Sequence, residues 1–172
     1  RRERLTAEEP MRKWPFVAVV VVLVVVLDQL TKMWIRDTIP LHGSVEVVPS
    51  LFNLTHVRNP GGAFNLLAGS DDSFRVPFFL IMTAVAVAAL FYFLREIRPH
   101  QKLLLFAVAG VLGGAIGNFI DRAMVGEVTD FLDVYWGSYH WPSFNVADSF
   151  ISVGVVVLIV HSLFFAEDGA AR

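Results

Sequence analysis

Long apolar runs dominate the chain and predict helices that cross a membrane. Three runs contain no Asp, Glu, Lys or Arg, at residues 76–94, 103–120 and 149–166, and they are 19, 18 and 18 residues long. A helix that spans a bilayer needs roughly 17 to 25 predominantly apolar residues, because each residue adds about 1.5 Å along the axis. Each run is therefore long enough to cross once.

A fourth span is predicted near the N-terminus, where the apolar run is shorter. Residues 16–27 are followed by Asp28, but Trp14 and Trp34 lie 20 positions apart, which is about 30 Å along a helix. Tryptophan favours the two membrane interfaces, so this spacing predicts one helix over residues 14–35. A cleaved signal peptide is the alternative, but no small-residue cleavage site follows the run.

The two longer connections, residues 36–75 and 122–146, carry strand patterns. Residues 44–57 are rich in Val, Leu and Phe around Pro49, and residues 128–135 are β-branched and aromatic. Such runs predict short strands. The expected fold is an integral membrane, mainly α protein in a single membrane-embedded domain, with four transmembrane helices and a small extracytoplasmic β-cradle.

Basic residues predict which side of the membrane each connection faces. They concentrate in the N-terminal tail, residues 1–13, and in the short turn at residues 95–102. Lys and Arg are enriched in cytoplasmic loops, so both tails, residues 1–13 and 167–172, should be cytoplasmic and the long connections extracytoplasmic. The predicted helices cover about residues 14–35, 76–94, 103–121 and 147–166.

Composition supports the membrane assignment and excludes several classes of function. Hydrophobic residues make up 55% of the chain and charged residues only 17%, whereas soluble domains have about 25% charged residues. The balance of 14 basic against 16 acidic residues offers no concentrated basic face for nucleic acid. The absence of cysteine rules out a disulfide scaffold, a thiol nucleophile and a Cys-ligated metal.

Small residues in the third apolar run predict close helix packing. Gly110 and Gly114, and likewise Gly113 and Gly117, are four positions apart. This spacing lets another helix backbone approach closely. We interpret it as packing rather than chemistry, and it should bring the end of this run against a neighbouring helix.

Polar residues cluster where the apolar runs meet the predicted outer interface. Asn118-Phe-Ile-Asp121 ends one run and Asn145-Val-Ala-Asp148 begins the next. Ionisable residues at membrane depth indicate a functional site. Spacing alone suggests that Asp121 and Asp148 are equivalent members of a catalytic pair.

Structural roles are the alternatives for these acids. Asp28 precedes Lys32 by one helical turn, which predicts an ion pair. Asp121 is followed by Arg122 and lies three residues after Asn118 on the same helical face, so a structural salt-bridged or hydrogen-bonded role is open. Asp148 can cap the helix that it begins, and the default for Asp133 is a solvated strand residue.

Paired carboxylates are the chemistry that this chain offers for hydrolysis. Two acids in a partly dry site can share one proton, so that one activates water while the other polarises a carbonyl. The sequence contains no H-E-x-x-H, G-x-S-x-G or Walker motif, and its five histidines show no ligand spacing. We therefore expect neither a metal nor another cofactor.

Five polar blocks resemble those of one known family. In order they are Asp28-Gln-Leu-Thr-Lys32, Asn59-Pro-Gly-Gly-Ala-Phe64, Gly113-Gly-Ala-Ile-Gly-Asn-Phe-Ile-Asp-Arg122, Val128-Thr-Asp-Phe131 and Phe144-Asn-Val-Ala-Asp-Ser149. Together they resemble bacterial prolipoprotein signal peptidase, or signal peptidase II. One small departure is Thr129, where Val is common in the family.

The resemblance implies a metal-free aspartyl endopeptidase of the bacterial cytoplasmic (inner) membrane, with its active site at the outer leaflet. Its substrate would be a lipidated prolipoprotein, cleaved on the N-terminal side of the diacylglyceryl cysteine. The resemblance implies that Asp130 and Asp148 are catalytic and that residues 60–67 belong to a substrate-holding cradle. It assigns site-ordering or substrate-binding roles to Asp28, Lys32, Asn59, Gly61, Asn118, Asp121, Arg122 and Asn145.

The expected partners are this substrate and membrane lipid, without nucleic acid or metal, and the expected state is a monomer. Two other functions fit some of the same features. A small proton-coupled transporter would place acids near the midplane rather than at one face. A non-catalytic lipid-binding protein would explain the glycines and the cradle but not five converging polar blocks.

Overall fold

The structure, a computed structural model, describes residues 9–62 and 66–165. Within these ranges the chain forms four helices and four strands: α1 (Glu9–Thr38), β1 (Ser44–Val48), β2 (Phe52–Asn59), α2 (Asp72–Glu96), α3 (Lys102–Val125), β3 (Val128–Trp136), β4 (Tyr139–His140) and α4 (Val146–Phe165). Residues 1–8 and 167–172 of the predicted tails, and residues 63–65 of the predicted cradle, lie outside the described residues.

The four helices are each long and apolar enough to cross a membrane. Together with an antiparallel sheet in the order β1-β2-β3-β4, they confirm the predicted combination of four membrane helices and a small sheet. The helices extend past the predicted boundaries: α1 covers Glu9–Thr38 rather than residues 14–35, and α2 begins at Asp72 rather than at residue 76. Helical hydrogen bonding continues where charged residues leave the apolar layer, because it does not require an apolar environment.

Helix α3 lies at the centre of the bundle, and its glycines explain how closely the others approach. A Cβ atom at Gly113 would lie 2.7 Å from Cβ of Val24 in α1, and one at Gly114 would lie 2.5 Å from the carbonyl oxygen of Ala147 in α4. Real Cβ atoms do not approach this closely. The predicted close packing is therefore confirmed, with alternate glycines facing two different helices.

Lys13 links α1 to the end of α2, at the end of the bundle opposite the sheet. Its Nζ donates to the carbonyl oxygens of Leu94, Arg95 and Ile97 at 3.0, 2.8 and 2.8 Å. The last carbonyls of a helix have no partner within the helix, so a buried cation satisfies them well at the end of α2. Lys13, the last residue of the predicted tail at residues 1–13, therefore lies within α1 and is buried.

The sheet is built directly on the end of α3. Helix α3 stops at Gly126, whose φ of +77° lies in the left-handed region, and the Gly126 N–H donates to Arg122 O at 3.0 Å. Glycine adopts this conformation without a steric penalty. Strand β3 then begins at Val128 and pairs with β2, with Asn53 opposite Asp133. The strands predicted within residues 44–57 and 128–135 are confirmed.

Phe131 connects the sheet to the helices. Its side chain is buried against Ile35 and Ile39 at the end of α1. Side chains alternate between the two faces of a strand, so Asp130 projects from the face opposite Phe131. The packing of Phe131 therefore fixes the direction in which Asp130 points.

Candidate active site

A groove of about 710 Å³ opens between the sheet and the ends of α3 and α4. Five residues that the sequence predicts for the site line this groove: Asn59, Asn118, Arg122, Asp130 and Asp148. They come from four of the polar blocks. The fold thus brings together side chains that are up to 89 positions apart in the chain.

Asp130 is a buried acid held by two amides. Asn145 Nδ2 donates to its Oδ1 at 2.7 Å, and Asn59 Nδ2 donates to its Oδ2 at 3.0 Å. Burial, followed by the negative charge of Asp148, raises the pKa of Asp130 to about 7, although both amide hydrogen bonds act in the opposite direction. A carboxyl group with this pKa can hold or release a proton near neutral pH.

Asp148 caps α4 and also faces the groove. The Asn145 N–H donates to Asp148 Oδ2 at 3.2 Å, and the Asp148 N–H donates to Asn145 Oδ1 at 2.9 Å. This reciprocal pair is a capping box, which satisfies two backbone donors at the helix start. Asn118 Nδ2 donates to the other oxygen of Asp148 at 2.8 Å. Asp148 therefore caps α4, as the sequence predicts, and it also lines the groove.

Asn145 connects the two acids. Its side-chain Nδ2 contacts Asp130, while its backbone N–H contacts Asp148. The residue has no exposed surface, so its amide group is held in one orientation. One asparagine thereby sets the position of both carboxylates.

A buried ionic cluster lies behind Asn118. Lys32 Nζ is 2.9 Å from Asp28 Oδ2 and 3.1 Å from Asp121 Oδ2. It also donates to Asn118 Oδ1 at 2.9 Å, which uses all three of its donors. Asn118 Oδ1 accepts a further hydrogen bond from Asn145 at 3.2 Å. Because both donors meet its oxygen, Asn118 must direct its Nδ2 toward Asp148.

The predicted ion pair between Asp28 and Lys32 is therefore present, but it is part of the site's support. The second oxygen of Asp28 accepts the Ala147 N–H at 3.0 Å, at the start of α4. Gln29 has no role predicted from the sequence, yet its Nε2 lies 3.1 to 3.2 Å from Asp28 Oδ2, Gly117 O and Asp121 Oδ1, and its two hydrogens are shared among these acceptors. The only indication of this role in the sequence is that a polar amide stands next to an acid within an apolar run.

Asp121 has the structural, salt-bridged role that the sequence left open, but its partner is Lys32, 3.1 Å away, and not the adjacent Arg122. The Arg122 guanidinium donates to Gly61 O at 2.9 Å and lies 4.8 Å from the centre of the Phe79 ring. Adjacent residues on a helix point in different directions, about 100° apart. Asp121 also accepts the Thr129 N–H at 3.1 Å. Arg122 thus holds the turn beside the groove.

Asp133 is not the solvated residue that the sequence predicts. It is 7% exposed, Asn53 Nδ2 donates to it at 2.9 Å, and His140 Nδ1 lies 2.9 Å from its Oδ1. Both partners come from neighbouring strands, and strand register cannot be read from spacing along the chain. Asp133 lies outside the groove.

The geometry is suited to acid–base chemistry on a substrate in the groove. Two carboxylates share one asparagine, and one of them has a pKa near neutrality. Two acids whose surroundings give them different pKa values can work as acid and base in one reaction. Asn59 and Arg122 lie along the same wall and can contact the rest of a bound chain.

Comparisons with known proteins agree on one family. The family model for signal peptidase (SPase) II matches residues 20–164. The lipoprotein signal peptidase of Syntrophotalea carbinolica is 56% identical over 138 residues, which cover 80% of this chain and 84% of that protein. The lipoprotein signal peptidase of Geobacter sulfurreducens is 50% identical over 138 residues, with 80% and 85% covered.

Two solved structures, each described as a bacterial membrane enzyme, share the fold. The first superposes with a TM-score of 0.81 at 34% identity and covers 92% of this chain and 94% of that chain. The second has a TM-score of 0.79 at 35% identity and covers 88% and 95%.

Proposed function

The chain belongs to the signal peptidase II family, and we propose that Asp130 and Asp148 form the catalytic pair with which it hydrolyses its substrate. The protein is a membrane protease that removes the signal peptide from bacterial lipoprotein precursors by an aspartyl mechanism. Cleavage takes place on the N-terminal side of the lipidated cysteine. Family membership decides against the transporter and the non-catalytic lipid-binding protein.

The main support for this proposal is that Asn145 donates hydrogen bonds to both acids, from its side chain to Asp130 and from its backbone to Asp148. Asp130, with its pKa raised to about 7, is the protonated member, and its proton polarises the peptide carbonyl. Asp148 is the proposed base, since its oxygens accept an amide and a backbone hydrogen bond at the start of a helix. The two acids act as one titrating unit that shares a proton.

Each proton has a defined path through the reaction. Water attacks the carbonyl carbon and gives a proton to Asp148, while the proton of Asp130 passes to the carbonyl oxygen. The resulting tetrahedral intermediate collapses when Asp130 takes back a hydroxyl proton and Asp148 delivers its proton to the leaving nitrogen. The carbon–nitrogen bond breaks, and the pair returns to its starting state.

The remaining polar residues position the site and the substrate. Lys32 and Asn118 orient Asp148, with Asp28 and Asp121 balancing the lysine charge. Asn59 and Gly61 form a turn that Arg122 holds beside the groove, where it can contact the substrate backbone. The neighbouring part of the predicted cradle at residues 63–65 lies outside the described residues.

We also propose that the groove faces the outer leaflet, with both termini in the cytoplasm. A signal peptide crosses the membrane as a helix, and its lipidated cysteine lies near the headgroups. The acyl chains can pack against the lipid-facing helices, so binding energy far from the reacting bond positions that bond. A monomer that needs neither metal nor cofactor remains the expected working form.

The test is cleavage of a diacylglyceryl precursor by purified variants in proteoliposomes, followed by gel shift. Asp130→Asn and Asp148→Asn should each lower turnover by about 10³-fold or more, because each removes an acid–base group. Asp37→Asn is the matched control, since Asp37 is an exposed aspartate at the end of α1, and it should keep full activity.

Full activity in either catalytic variant would rule out the pair. If Asp121→Asn and Asp148→Asn lost activity while Asp130→Asn kept it, the pair would instead be the two acids of the repeated Asn-x-x-Asp motif.

A further inference from the structure

A second cluster of titratable side chains lies on the sheet, outside the groove. Asp133 and His140 form its centre: His140 Nδ1 lies 2.9 Å from Oδ1 and 3.0 Å from Oδ2 of Asp133. The Asp133 side chain is only 10% exposed, while that of His140 is 51% exposed. A buried carboxylate needs partners, and here Asn53 and His140 supply them.

The cluster joins all four strands through side chains. The His140 ring on β4 stacks on Tyr135 of β3, with centroids 4.8 Å apart and planes at 8°. The Tyr135 hydroxyl donates to Glu46 of β1 at 2.8 Å, and Asn53 of β2 donates to Asp133. His140 is the member that attaches β4 to the other three strands.

Strand β4 needs this attachment because it is very short. It has two residues, and its pairing with β3 consists of Tyr135 opposite His140 and Trp136 opposite Tyr139. So short a strand is marginally stable on backbone hydrogen bonds alone. We call the contact between Asp133 and His140 the sheet clasp.

The chain that follows β4 forms a wall of the groove. Residues 141–144 all line it. The Trp141 N–H donates to Val134 O at 2.8 Å at one end, and Phe144 exchanges backbone hydrogen bonds with Leu132 at 2.8 and 3.1 Å at the other. Asn145, which bridges the catalytic acids, comes next in the chain.

We propose that the sheet clasp holds residues 141–144 in the position that receives the substrate, which makes His140 a positioning residue for prolipoprotein binding. This inference rests on the proposed function of the groove. The wall contacts the parts of the substrate around the reacting bond, and the clasp touches neither catalytic acid. A loosened wall must become ordered when substrate binds, and the binding energy spent on that ordering weakens affinity.

The test compares KM and kcat for cleavage of a diacylglyceryl lipopeptide by the purified full chain. His140→Ala should raise KM about tenfold, because it removes a hydrogen bond to a charged partner. It should leave kcat and the pH profile of kcat unchanged, since the acids keep their contacts. His100→Ala is the matched control: His100 is exposed in the turn between α2 and α3, and its replacement should change nothing.

His140→Asn provides a second variant that keeps a donor near the position of Nδ1 but loses the ring. Its KM should fall between those of the parent and His140→Ala. An unchanged KM in His140→Ala, or a fall in kcat alone, would overturn the proposal. If His140→Ala does not fold in detergent, a parental KM in His140→Asn together with parental thermal stability overturns it equally.

The same preparations separate this proposal from the catalytic one. If Asp130→Asn and Asp148→Asn lose turnover while His140→Ala keeps the parental KM, only the sheet clasp is wrong. If the two Asn variants turn over normally, the catalytic pair is wrong whatever His140→Ala does.

Discussion

Asp130 and Asp148 have the same side chain but different surroundings. Asp130 lies on a strand and is 3% exposed, so burial disfavours its charged form. Asp148 lies at a helix start, where backbone N–H groups meet its oxygens. This difference is the reason why we propose Asp130 as the acid and Asp148 as the base.

The acid strength of Asp130 predicts how activity depends on pH. With its pKa raised to about 7, the group is protonated below this pH and loses its proton above it. Because the proposed mechanism needs this proton, kcat/KM should fall about tenfold per pH unit above about pH 7. The measurement is kcat/KM for a lipopeptide in detergent micelles between about pH 6 and pH 9. A rate that is constant or rises over this range would contradict the assignment.

Tyr135 cannot cause the same decline. Its hydrogen bond to Glu46 raises the pKa of Tyr135 above the ordinary value of a tyrosine, so the hydroxyl stays protonated through the range tested. The variant Tyr135→Phe should therefore show the parental pH profile.

Among the helices, α3 supports the site because its glycines let α1 and α4 pack closely against it. Gly117 is the tightest of these contacts to the polar cluster: a Cβ atom there would lie 2.5 Å from Asp28 Oδ2. Asp28 cannot move away from such a Cβ without breaking its ion pair with Lys32 or its hydrogen bond from the Ala147 N–H. The glycine is thus required by the ionic cluster as well as by helix packing.

Gly117→Ala should therefore destabilise the protein by about 1 to 3 kcal/mol, the usual cost of overpacking, and lower cleavage activity. Gly110→Ala is the matched control in the same helix, since its Cβ would meet the Phe150 ring at 3.2 Å, and that ring can shift. Thermal unfolding in detergent and the cleavage assay measure both effects. Equal stability and activity of the two variants would contradict the role of Gly117.

The helices and strands could be predicted from the sequence because their signals are local. Apolar runs of sufficient length mark the helices, and short runs rich in β-branched, aromatic and other apolar residues mark β2 and β3. The start of α1 could not be placed from its apolar run, because Lys13 is charged yet lies within the helix and caps the end of α2.

Partners across elements could be predicted only in part. Asn118 and Asp121 lie on one face of α3 and both contact Lys32, but Asn118 also donates to Asp148 while Asp121 accepts the Thr129 N–H. Spacing along the chain does not show which neighbouring elements these two side chains meet. The partnership of Asp133 with Asn53 depends in the same way on the register of β2 against β3.

In the molecule as a whole, the two proposed catalytic acids and the polar residues around them lie at one end of an apolar bundle. The groove and the sheet lie at that end, and the turn between α2 and α3 lies at the other. The proposed orientation places the sheet outside the cytoplasm and this turn inside it.

The chain has no cysteine, so a single introduced cysteine can report the orientation without background. In intact spheroplasts, a membrane-impermeant maleimide should label Trp136→Cys, since Trp136 is 86% exposed on the sheet. It should label His100→Cys only after lysis. The opposite labelling pattern would reverse the proposed topology.

The most direct test of the catalytic pair is a structure with a bound lipopeptide whose scissile amide is replaced by a hydroxyethylene group. We expect this hydroxyl to lie within about 3.2 Å of a carboxylate oxygen of both Asp130 and Asp148. A hydroxyl bound between Asp121 and Asp148, or away from Asp130, would contradict it.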